Sequence, residues 1–137
     1  MSILHRPFKY TFKNATLYIV LANVLVYILM KFIPELYFHL SLFPVLFFEY
    51  HEYWQVFTYM FVHDYSSIQH ILFNMIGLLI FGISVEKAIG TKEFCLMYFL
   101  SGIFCGIFSL ITFVISGTPF VILCGACAIS GGIYQDS

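Results

Sequence analysis

The chain has 137 residues, of which 61% are hydrophobic and only 9% charged, and its formal net charge is -1. Soluble domains carry roughly 25% charged residues. The composition therefore excludes a soluble fold and describes an integral membrane protein. With no long basic run, it also excludes nucleic acid as a partner.

Arg6, Lys9 and Lys13 precede an apolar run that is too long for a signal-peptide core and is followed by no small-residue cleavage site. This run is the first predicted span, residues 15–33, closed by Pro34. At about 1.5 Å per residue it covers about 28 Å, close to a bilayer core. Asn23 is its one strongly polar interior residue. Residues 34–67 carry Glu35, His39, Glu49, His51, Glu52, His63 and Asp64, and are long for a structureless loop. Their apolar pieces, 40–48 and 56–62, are too short to span. Tyr50, Tyr53, Trp54 and Tyr59 suit the headgroup layer. The segment predicts short amphipathic helices lying in one interface.

A second span is predicted over 68–85, a polar joint over 86–93 and a third span over 94–115. In the joint, Glu86 and Lys87 read as a helix terminus held by local hydrogen bonds. Gly102-x-x-x-Gly106 in the third span reads as a helix-packing surface. After a turn at 116–119, residues 121–134 begin a fourth apolar stretch rich in small residues, which stays short of a span. Asp136 would put a charge about 10 Å into a continuing helix, which is costly. The end therefore reads as an interruption of a longer product by truncation, frameshift or fragmentation. Lys87 and Lys92 fall on the same side as the N-terminal basic residues, and only Lys31 falls on the other. The positive-inside rule then puts the N-terminus in the cytoplasm and the long aromatic segment outside. Cys95, Cys105, Cys124 and Cys127 read as small buried hydrophobes, since nothing around the C-x-x-C pair suggests a redox unit.

His70 and Asn74 are one turn apart within the second apolar run. Side chains at i and i+4 share a helix face. Polar groups in hydrocarbon need partners. The pair is either a site or interhelical glue. Ser130-Gly131 opens the fourth stretch from the same outer side, so Ser130 can share a depth with His70 and Asn74. A serine facing two side-chain donors suits acyl transfer, with the donors holding the oxyanion.

With those residues, the sequence resembles the rhomboid family of intramembrane serine proteases. The matching segments are Trp54-Gln55-Val56-Phe57-Thr58, Phe61-Val62-His63 and His70-Ile71-Leu72-Phe73-Asn74-Met75. They continue with Gly82-Ile83-Ser84-Val85-Glu86-Lys87-Ala88-Ile89-Gly90 and Ile129-Ser130-Gly131-Gly132-Ile133-Tyr134. The resemblance implies an all-α polytopic membrane bundle. It would be a single partial domain over 1–137, with three full spans, an interfacial first loop and the start of a fourth helix. It implies Ser130 as nucleophile, His70 and Asn74 as oxyanion-hole donors, and Tyr134 packing against the catalytic histidine. It implies transmembrane segments of membrane proteins as substrates within a lipid bilayer, cut near their outer ends, with no cofactor.

Two residues depart from the family pattern. Gln55 stands where the loop's arginine is usual, and Ala128 stands at the first glycine of the serine motif. A rival alignment makes Cys127 the nucleophile, but it loses the following glycine and the aromatic residue four positions on. The family's general base is a histidine on a later helix. The histidines here are His5, His39, His51, His63 and His70, and His70 already has the oxyanion role. A serine without a base is a poor nucleophile, so this chain alone is expected to be inactive. The alternative is a non-catalytic rhomboid-like remnant that binds transmembrane helices. His51-Glu52 starts an H-E-x-x-H pattern but lacks the second histidine, which argues against a zincin. A metal site from His39, His51 and His63 is the remaining metal-binding reading.

Overall fold

The computed structural model describes residues 12–64 and 67–117. Within them three helices are long and apolar enough to cross a membrane, and no strand occurs. Helix α1 (Ala15–Phe32) follows Asn14, which adopts a left-handed conformation, and ends two residues before Pro34, with Ile33 between them. Its inward face carries Thr16, Ile19, Val20, Asn23, Tyr27 and Met30. Asn23 is buried, and its amide donates back to the Ile19 carbonyl at 2.7 Å.

The interfacial segment is broken into α2 (Leu36–Leu40), α3 (Pro44–Glu49) and α4 (Gln55–Thr58), with α4 running into a 3-10 turn over Tyr59–Phe61. Pro44 occupies the first turn of α3, where its missing N–H costs nothing. Phe38, Phe48, Tyr50, Tyr53, Trp54 and Phe57 stay exposed along it, as side chains facing a bilayer interface do.

The second span is one continuous helix from Ile68 to Ile89. It comprises α5 (Ile68–Gly77), a π turn over Leu78–Gly82, and α6 (Ile83–Ile89). It runs past the predicted end at residue 85 because Glu86 is buried and partnered rather than solvated. The predicted eight-residue joint shrinks to Gly90, whose φ of 97° reverses the chain into α7 (Thr91–Ser116). On the exposed face of α7, Ser109 and Thr112 donate to the carbonyls four residues back, which satisfies them without a neighbour.

Three small cores hold the bundle. Val20 and Tyr27 of α1 meet Ile71 and Met75 of α5. Met30 at the end of α1 packs on Val62. Leu42, Tyr59 and Met60 of the interfacial segment pack against Leu110 of α7. That third core corrects the reading of Gly102 and Gly106: the groove they form is filled by the loop. A Cβ at Gly102 would clash with Met60, and one at Gly106 would come within 2.9 Å of the Tyr59 ring. The Tyr59 hydroxyl donates to the Gly102 carbonyl, and burial pushes its phenol up to about 12. Cys105 faces outward, contrary to the buried reading, and Cys95 is half-buried, while Cys124 and Cys127 lie outside the described residues.

Candidate active site

Ile71 and Met75 turn α5 into the core, and this sets the rotation of their neighbours. His70 and Asn74 are both half-buried beside them, one turn apart, on the side of α5 that faces the bundle. The Nδ1 atom of His70 is buried with no hydrogen-bond partner among the described residues. Ser130 and Tyr134 lie outside the described residues, so the structure brings together two of the four predicted site residues.

It adds a third side chain. Val62 is anchored under Met30, and this carries His63 into the interior, where it has no exposed surface. The rings of His63 and His70 stand 5.7 Å apart between centroids, inclined at 60°. Such offset edge contacts are a favourable aromatic geometry. Burial lowers the His63 imidazole to about 4, with a partial offset from the nearby Phe61 main chain and a small further push from His70. His63 is thus neutral at physiological pH. Sequence reasoning gives His63 a place only in a family segment and in a candidate metal site, not beside His70. It sits in a segment of no clear periodicity, so nothing local showed which way it points.

The loop beneath the site is tied down without the arginine. Gln55 is fully buried. Its carboxamide oxygen accepts from the Phe43 N–H at 2.9 Å, and its amide donates to the Phe38 carbonyl at 3.2 Å and to Glu52 at 2.8 Å. The other Glu52 oxygen meets His39 Nδ1 at 2.7 Å. The Trp54 indole donates to the His39 carbonyl at 3.0 Å. His39, His51 and His63 therefore go separate ways. His39 pairs with Glu52, His51 meets the Tyr53 hydroxyl at 2.7 Å, and His63 faces His70. These three histidines do not form a shared metal site.

At the opposite end of the second span, Glu86 accepts four bonds. The N–H groups of Ala15 and Thr16 donate at 2.8 and 2.9 Å, and the hydroxyls of Thr16 and Thr91 at 2.8 and 2.6 Å. Its role is not the local terminus read from sequence. Its carboxylate caps the first turn of α1 and joins it to the start of α7. Free N–H groups at a helix N-terminus favour a negative charge.

A family model for the Rhomboid domain matches residues 50–134, more than half of the chain. The chain belongs to the rhomboid family. No curated protein and no solved structure gives a match. The rhomboid match takes in the Trp54-Gln55 loop, the His70–Asn74 face and Glu86, and it continues through Ser130 to Tyr134. The rhomboid chain is an integral membrane bundle that presents a histidine and an asparagine from inside its second span.

Proposed function

We propose that this chain carries the nucleophile and oxyanion half of an intramembrane serine endopeptidase that acts on transmembrane segments. The supporting observation is the shared inward face of His70 and Asn74 within a rhomboid match that extends through Ser130-Gly131. In this reading Ser130 attacks the scissile carbonyl. His70 and Asn74 donate to the oxyanion as it forms, and Tyr134 packs against the general base. Preorganised donors of this kind are a large term in acyl transfer. The N-terminus lies in the cytoplasm, and the site opens toward the outer interface.

Proton removal from Ser130 needs a base, and His70 is committed to donating. General-base catalysis contributes about 10²–10⁴ in rate. Residues 1–137 alone are therefore expected not to cleave a model transmembrane substrate, and Ser130 is expected not to react with a serine-directed phosphonate. Both are expected to appear when a downstream helix bearing a histidine is supplied. The reading fails if that extended protein cleaves equally well with Ser130→Ala. Cleavage by the 137-residue chain, abolished by Ser130→Ala, would overturn its expected inactivity and make His63 the base to test.

A further inference from the structure

The serine-protease reading gives His63 no task, yet the ring sits fully buried against an oxyanion donor. Both of its nitrogens, and Nδ1 of His70, lack hydrogen-bond partners among the described residues. A buried polar atom left unpaired is costly. A phenyl ring would fill the same space without that cost, so shape alone does not explain a histidine here. At a centroid separation of 5.7 Å, nitrogens turned to face each other would be about 3.3 Å apart, since each lies about 1.2 Å from its ring centre. That is about 0.4 Å beyond an ordinary hydrogen bond to nitrogen, a gap that a side-chain adjustment of that size would close.

We propose that an N–H of His63 donates to Nδ1 of His70 and holds His70 as its Nε2–H tautomer, which makes His63 a positioning residue for the oxyanion donor. The inference rests on the oxyanion role of His70 given above. A neutral imidazole has one donor and one acceptor, and the partner of one nitrogen decides the state of the other. With Nδ1 accepting, Nε2 must carry the proton and can donate to an oxyanion. The reverse bond, from His70 Nδ1–H to His63, would leave Nε2 a bare lone pair that repels an oxyanion. Burial keeps His63 uncharged, so the pair binds as two neutral rings.

The test is nitrogen-15 imidazole NMR on the full 137-residue chain in lipid nanodiscs near neutral pH, without substrate. In the wild type, His70 is expected to favour the Nε2–H tautomer by about tenfold, the weight of one ordinary hydrogen bond. His63→Phe keeps a ring but no donor and is expected to give a mixture of tautomers. His63→Gln returns an N–H and is expected to restore the preference. A wild-type His70 that is mixed or Nδ1-protonated overturns the proposal whether or not the variants fold. So does an unchanged tautomer in His63→Phe, or a His63 N–H held by the Phe61 carbonyl. No Ser130 chemistry enters this measurement. Loss of the protease reading would leave the tautomer result standing, and a mixed tautomer alongside Ser130 labelling would remove only this inference.

Discussion

A carboxylate with no exposed surface needs its oxygens filled, and Glu86 fills both with four donors. Glu86→Gln replaces one acceptor oxygen with an amide that points donors at donors. Bonds to charged groups are worth about 1.5–3 kcal/mol each, so the variant is expected to lose about 3 kcal/mol, read by reversible unfolding in detergent. A change below about 0.5 kcal/mol would mean the four bonds are not formed in the membrane. His63 adds a pH term. Its folded value of about 4 lies below the ordinary 6.5, so the unfolded chain takes up the proton first as pH falls. The stability is whole above about pH 6.5 and declines toward about pH 4, by about 3 kcal/mol in all. His63→Phe is expected to flatten that decline, and equal slopes in the two proteins would contradict it. The sequence could show neither partnership. His70 and Asn74 were legible because four-residue spacing is a local signal. The bonds of Glu86 reach about seventy residues back along the chain, and no local pattern encodes that distance.

The three spans, as elements, could be read from hydropathy, because length and apolarity are all that crossing a bilayer requires. What each span touches could not. The Gly102–Gly106 spacing announced a close approach but did not identify its occupant, which is the Tyr59-Met60 corner of the interfacial segment. The two glycines are expected to differ. At Gly102 the obstacle is the flexible end of Met60, whereas at Gly106 it is the stiff Tyr59 ring, pinned through its hydroxyl. Gly106→Ala should cost about 1–3 kcal/mol of overpacking, and Gly102→Ala less. Hydrogen exchange should show faster opening of residues 55–62 in Gly106→Ala. Equal effects at both positions would show that Tyr59 does not sit in the groove. Gln55 teaches the same lesson. It departs from the usual arginine, yet a carboxamide with an oxygen and an amide serves the Phe43 N–H, the Phe38 carbonyl and Glu52 together.

Over the whole molecule, the start of α1, the end of α6 and the start of α7 converge on Glu86, while the interfacial segment closes the other end. Among the described residues, Lys13, Lys87 and Lys92 fall at the Glu86 end and Lys31 at the other. Reporter fusions at Ser2 and Thr91 are therefore expected to read cytoplasmic, and a fusion at Ser137 external. An external signal at Thr91 would invert the proposed orientation. The membrane class is legible in composition, and the spans in the apolar runs along the chain. The half of the site that the sequence assigned to Ser130 and Tyr134 lies outside the described residues.

The π turn at Leu78–Gly82 sets the phase of the second span. His70 and Glu86 are sixteen residues apart. At about 100° per residue an unbroken α-helix would put them about 160° apart, on opposite faces. Five π residues lag that winding by about 90° in total, leaving about 70° between them. One helix can then aim its polar residues inward at both ends, toward the site at one and the α1 cap at the other. Gly82, at the end of the π turn, lets α1 come close enough for this, with Thr16 only 2.7 Å from where a Cβ would stand. Losing one residue from Leu78–Gly82 would undo that vernier and turn one of the two polar faces toward lipid.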